Sequence, residues 1–424
     1  MPDNKTAQLL ISGGDERLAL NSDGVNKYGC RPTPDDEILA FSSCTASPIS
    51  SANFAIADNL RIRLEQAHFS EKIHTQEITR QKAEWRDLIG LESNTSLIFS
   101  PSGTDLHRLV ANHVADNTLI IMVEGNETGS GVALALEQGR GVKISPVSLR
   151  FANGSPRLIS EIDNEVITLA QKGISENRNV LLILVDQSKT GMIAPSQNCA
   201  MALKNQYQTR LNVLVDACQF RLSVTTLKAY FQQNFMIALT GSKFLAAPSF
   251  SAILILPPTI QFSPELEEIN FGLLLRMEIA LYEYRAFCVL TDAQISEVMG
   301  NFANAVQNYL MASPYFEPLE TPVLKRDNST WDSLPTIFPF LLCRDKKPLS
   351  HAETLAIYQQ LPHQNPRCQI GQPVVCGDEK SALRLCLSAS LIVQAVQSEN
   401  YGLDCIEKAL LVLAMLEKNI FDCL

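Results

Sequence analysis

Three short loops carry residue types and spacings able to do chemistry. The first is Pro101-Ser102-Gly103-Thr104-Asp105, directly ahead of a helical pattern. Its glycine lets the backbone approach a ligand closely. A helix N-terminus turns free N–H groups and a positive dipole end toward an anion, and Thr104 adds a hydroxyl. An ordinary helix cap has the same pattern. The second loop is Val213-Leu214-Val215-Asp216-Ala217-Cys218-Gln219, an apolar strand ending in an acid. That carboxylate either caps the next turn or holds a proton on a heteroaromatic nitrogen. The third is Leu239-Thr240-Gly241-Ser242-Lys243, where a lysine follows another apolar strand. Lys243 lies 27 residues after Asp216. That is room for one helix and one strand, so both side chains can return to the same sheet edge.

The elements between these loops alternate. Apolar runs at Leu119–Val123, Val142–Val147, Val180–Asp186, Asn212–Asp216, Phe235–Thr240 and Ala252–Leu256 predict strands. Helical spacing predicts Asp105–Val114, Gly131–Gln138, Ser160–Ser175, Asn198–Tyr207 and Val224–Phe231 between them. Strands without polar alternation need cover on both faces, which predicts an α/β fold with a mostly parallel sheet between helices. Ligands in such sheets sit beyond the carboxyl ends of the strands, where all three loops fall. Residues 1–50 are broken by glycines and prolines. Ile49–Phe69 and Thr75–Ile89 read as helices, and Phe271–Leu310 as one long helix or a pair. The last third has its own strands (Thr336–Cys343, Leu383–Leu387) and helices (Ala352–Gln360, Tyr401–Lys418). The expected division is an N-terminal segment 1–50, a large domain 51–285 and a smaller C-terminal α/β domain 286–424.

Composition narrows the function classes. With 424 residues, 46% hydrophobic and 19% charged, the chain is not disordered. Its net charge of −10 argues against an electrostatic nucleic-acid binder. No apolar run has the length of a membrane span, and Met1–Gln8 lacks the apolar core of a secretory signal. The eleven cysteines form no CxxC pair, so they read as reduced thiols of a cytoplasmic protein, with no metal site. Neither a GxxxxGK[ST] loop nor a strand-linked GxGxxG supports a nucleotide-binding enzyme.

In order and spacing, the three loops resemble those of pyridoxal-phosphate enzymes of fold type I, especially the class V aminotransferase and cysteine desulfurase group. The resemblance runs from about Leu97 to Leu256. It implies a mostly parallel seven-stranded-type sheet sandwiched by helices, the cofactor pyridoxal 5'-phosphate, and a homodimer. Lys243 would form the Schiff base, and Asp216 would pair with the pyridinium nitrogen. Ala217 would pack on a ring face, while Gln187 and Gln219 would reach the phenolic oxygen. Gly103, Thr104, Thr240 and Ser242 would bind the phosphate. Arg384, in Ser381–Leu387, would hold the substrate carboxylate, a task suited to its bidentate fork.

The sequence departs from the group at the aromatic residue stacked on the cofactor's outer face. The corresponding stretch, Val123–Ser130, has none. Glu127 is an acid/base or substrate-binding candidate there, and Tyr28 or Arg31 of the N-terminal segment a substrate contact. His107 and His113 read as packing or surface residues. Cys368, 16 residues before Arg384, occupies the neighbourhood of the sulfur acceptor of one desulfurase subgroup. The implied function is conversion of an amino-acid substrate through a carbanion/quinonoid intermediate. A lyase or transferase of specialised metabolism, working by elimination or replacement at Cβ or Cγ, leads. The alternatives are an aminotransferase, a desulfurase using Cys368, and an inactive relic acting as an interaction subunit.

Overall fold

The computed structural model describes residues 4–139, 141–262, 268–326, 330–377 and 380–422. Eight strands precede the chain's midpoint region of helices: β1 (Leu39–Phe41), β2 (Ser96–Ser100), β3 (Thr118–Val123), β4 (Lys143–Val147), β5 (Asn179–Val185), β6 (Leu211–Ala217), β7 (Met236–Thr240) and β8 (Ala252–Leu256). Five follow: β9 (Phe316–Pro318), β10 (Ile337–Arg344), β11 (Lys347–Pro348), β12 (Cys368–Cys376) and β13 (Lys380–Cys386).

Seven strands form one sheet in the order β2-β8-β7-β6-β5-β3-β4. All neighbours are parallel except β8, which runs antiparallel to β2 and β7. The unbroken Leu/Ile/Val runs explain why. Leu119, Ile121, Val123, Leu182, Leu184, Val213 and Val215 enter one core. Their alternates Ile120, Met122, Leu181, Ile183 and Leu214 enter a second core on the opposite face. A strand alternates its side chains between faces, so a strand apolar at every position must be covered twice. The helix Gly103–His113 covers the second face, contributing Leu106 and Val110.

The second sheet runs β1-β12-β13-β10-β11, with β9 against β10. Its edge strand β1 comes from the N-terminal segment and pairs in parallel with Cys368–Ile370. Sequence pattern missed β12, because Gly371 and Pro373 interrupt it and a bulge shifts its register to β13 between Gly371 and Val374. Phe271–Leu310 resolves as a pair, Phe271–Cys288 and Asp292–Ala312, the second started by a Thr291–Gln294 capping box. The first of the pair buries Arg276 completely. Its guanidinium donates to the carbonyls of Leu10, Ser12, Gly13 and Phe250, tying the N-terminal segment down. Among the described residues no helix is long and apolar enough to cross a membrane.

Candidate active site

A cavity of about 440 Å³ opens beyond the carboxyl ends of the parallel strands. Lys243, three residues past β7, and Asp216, near the end of β6, both line it. Asp216 is buried. Its Oδ1 accepts from the Cys218 N–H at 3.2 Å, and its Oδ2 from the Thr128 hydroxyl at 3.3 Å. Burial alone would raise its pKa, but the nearby His107 and Lys243 and the Cys218 hydrogen bonds outweigh it and hold the carboxyl below its usual range. The carboxylate is therefore an anion at neutral pH.

His107 is fully buried against this carboxylate, not merely a packing residue. Its Nε2 lies 3.5 Å from Asp216 Oδ2 and has no hydrogen-bond partner. Its Nδ1 faces the Gly103 carbonyl at 2.7 Å, an acceptor that needs a proton on that nitrogen, and its Nε2 attracts the carboxylate when it carries a proton as well. The signal was present in the sequence: His107 is one helical turn beyond Gly103 and shares its face. His113 stacks on Phe262, at 4.2 Å between centroids.

The first loop is both a cap and a cradle. Ser102 accepts from the Asp105 N–H and donates to the Asp105 carboxylate. Gly103 starts the helix, and a Cβ there would stand 2.8 Å from Cys218 Sγ. Thr104, Thr240 and Ser242 also line the cavity. Thr240 donates to the Cys218 carbonyl at 2.6 Å, whereas no protein partner among the described residues engages the hydroxyls of Thr104 and Ser242. Arg17, which sequence reading missed, reaches the cavity from the N-terminal segment. It donates to Ser102 Oγ at 3.2 Å, pairs with Asp15 and lies 4.8 Å over the Phe250 ring. Nothing local in the sequence around Arg17 marks it.

Three expectations need correction. Ala217 does not line the cavity: it alternates with Asp216 and enters the opposite core, while Cys218 takes the cavity wall. Glu127 is at the cavity, but its carboxylate is not free for substrate. Arg150 pairs with it at 2.8 Å, and the hydroxyls of Ser188 and Thr190 donate to it at 2.7 and 2.8 Å. A carboxylate this deeply buried is stable only when paired, and here the pairing is complete. Cys368 is fully buried at the start of β12, outside the cavity lining, with its thiol pushed up to about 12 by burial.

Gln187 and Gln219 line the cavity with their amides engaged in protein bonds. Gln187 donates to the Arg221 carbonyl at 3.0 Å. Gln219 donates to the Cys44 carbonyl at 3.2 Å and accepts from Arg221 at 3.3 Å. Tyr28 reaches the cavity from the N-terminal segment; Arg31 lines neighbouring grooves instead. Arg384, on β13, is 2% exposed and, among the described residues, donates to the carbonyls of Lys189 and Gln372 and the Thr45 hydroxyl. Its Nε is buried without a partner. A desolvated guanidinium with no carboxylate beside it is suited to one brought by a ligand.

Cys44 is another cavity residue that sequence reading missed. Burial raises its thiol, but the hydrogen bond from Cys386 and the guanidinium groups of Arg384 and Arg221 reverse this and favour the thiolate. The exposed Cys288 has its thiol raised instead. Iodoacetamide at about pH 6, below the ordinary thiol range, should therefore label Cys44, which lines the cavity, ahead of Cys368, which is as buried but does not. Peptide mass spectrometry reads the order, and faster labelling of Cys368 would contradict it.

No family model matches the sequence, and no curated protein does. Solved structures do match. The cystine C–S lyase C-DES in complex with its reaction product cysteine persulfide is 14% identical, covering 90% of this chain and 97% of its own, with a TM-score of 0.61. A cysteine desulfurase from Thermococcus onnurineus is 14% identical over 90% of this chain and 95% of its own, at 0.60. An SPT holding PLP as an internal aldimine is 14% identical over 89% and 88%, at 0.56. The chain thus has the fold of these proteins, that of fold type I, as the strand order and the single antiparallel strand already indicate.

Proposed function

We propose that the cavity binds pyridoxal 5'-phosphate through Lys243 and that the protein is an enzyme acting on an amino acid. The reading rests on one juxtaposition: a lysine and a buried carboxylate face the same cavity as a glycine-led helix N-terminus. The donor set fits the group. The Gly103 position has no room for a side chain beside Cys218, Thr104 and Ser242 offer spare hydroxyls to a phosphate, and Asp216 is anionic as a ring-nitrogen partner requires. When bound, the cofactor supplies an electron sink conjugated to the substrate's amino group.

The chain's own residues divide the remaining work. Asp216, steadied by His107, keeps a proton on the ring nitrogen. Lys243 Nζ holds the cofactor and then moves the proton at the substrate Cα. Arg384 fixes the substrate carboxylate. Elimination or replacement at Cβ or Cγ, by a lyase or transferase, is the favoured reaction class. Burial of Cys368 disfavours its use as a sulfur acceptor, and the retained Lys243 and Asp216 speak against an inactive relic. A homodimer is part of the same reading and is checked by light scattering on the purified protein.

The test is spectroscopic. Protein incubated with pyridoxal phosphate should develop a visible band that borohydride abolishes, and amino acids that bind should shift it. Protein that never develops the band would end this reading. Arg384→Gln should leave the band intact and raise the amino-acid KM by roughly ten- to hundredfold, the worth of a charged hydrogen-bonded contact. An unchanged KM would move the carboxylate site elsewhere.

A further inference from the structure

A third cation lines the cavity beside Lys243 and Arg384. Lys189 sits in the loop after β5, half-buried, and lines the cavity with Lys243 and Arg384. Its main chain is held from two sides: its N–H donates to the Glu127 carbonyl at 2.8 Å, and its carbonyl accepts from Arg384 at 3.3 Å. Its ammonium donates to the Gly125 carbonyl at 3.0 Å, on the loop that follows β3. Among the described residues no carboxylate forms an ion pair with Lys189, Lys243 or Arg384. The nearest acid, Glu127, is consumed by Arg150, Ser188 and Thr190.

The assignments proposed above use up the other charges. Asp216 serves the ring nitrogen, the helix N-terminus takes the phosphate, Lys243 is engaged covalently, and Arg384 takes the substrate's α-carboxylate. One cation is left over. Burial and the neighbouring Arg384 and Lys243 bring the Lys189 ammonium down to about 8, the mark of a positive group in want of an anion. Arg384 donates to the backbone carbonyl of the very residue that carries this ammonium, and both side chains line the same cavity. Two cations on one wall suit two acidic groups on a single small molecule.

We propose that Lys189 binds a second acidic group, so that the substrate is an amino acid whose side chain ends in a carboxylate or sulfinate. This rests on the cofactor reading above and adds a specificity-determining residue to it. The cofactor-loaded protein is titrated with matched pairs, aspartate against asparagine and glutamate against glutamine, and with cysteine sulfinate against cysteine, following the shift of the visible band. At least one acidic member should bind roughly ten- to hundredfold more tightly than its neutral partner. Lys189→Gln should abolish that preference while keeping the band and the affinity for the neutral member. Lys189→Arg should restore much of it. A protein that forms the band yet binds acid and neutral partners alike, or a Lys189→Gln variant that keeps the preference, overturns the Lys189 assignment alone. A protein that forms no band overturns the cofactor reading and this inference with it.

Discussion

Lys243→Ala is expected to lose turnover by at least about 10²–10⁴-fold, the range for a missing proton-transfer group, with the covalent link to the cofactor lost as well. The fold should be untouched. Lys243 lies in a loop past β7, and its side chain makes no hydrogen bond or ion pair with the described residues. Removing it therefore breaks no hydrogen bond or ion pair, and the variant's circular dichroism should match the parent's. Borohydride reduction followed by peptide mass spectrometry separates this result from simple unfolding. The parent should carry a reduced pyridoxyl group on the peptide containing Lys243, and the variant should carry none anywhere. A fully active variant, or a label on Lys189 in the parent, would refute the assignment.

The second large effect falls on stability. Glu127→Ala should destabilise the protein by about 3–5 kcal/mol, because Arg150 is left charged in the interior without its partner. Both side chains are nearly inaccessible, at 2% and 3% exposure. The Ser188 and Thr190 hydroxyls lose their acceptor at the same time. Urea denaturation should show a lower midpoint at unchanged slope. The double change Glu127→Leu with Arg150→Met should recover much of the loss, since neither buried charge remains. If the single variant were as stable as the parent, the pair would not be the tie between the segments after β3 and β4.

Most of the large sheet was legible because its central strands are near-continuous apolar runs, which only a doubly covered sheet explains; β2, framed by Ser96 and Ser100, was not read as a strand. Lys243, Asp216 and the Gly103 loop were legible for the same reason, as each interrupts such a strand or starts the helix after it. What the pattern hid was set by distant parts of the chain. Glu127 looked available because nothing near it in sequence announces Arg150. Arg17 and Cys44 come to the cavity from the N-terminal segment, through contacts no local periodicity records. Ala217 was misjudged by one position, and in a strand one position is the other face. The second sheet was only half visible, since β1 has three residues and β12 contains a glycine, a proline and a bulge.

The pairing of β1 with Cys368–Ile370, together with the grip of Arg276 on Leu10, Ser12 and Gly13, bears on how the chain is made. These residues are synthesised well before their partners, since Arg276 follows Leu10 by 266 residues and Cys368 follows Leu39 by 329. Docking across so long a stretch is slow, because the intervening loop must be closed before any contact rewards it. Tyr28, whose carbonyl accepts from Gln369, and Cys44, beside Cys386 and Arg384, therefore settle at the cavity only once that later stretch exists, so a nascent chain stalled before residue 368 would have the large sheet but an unfinished pocket.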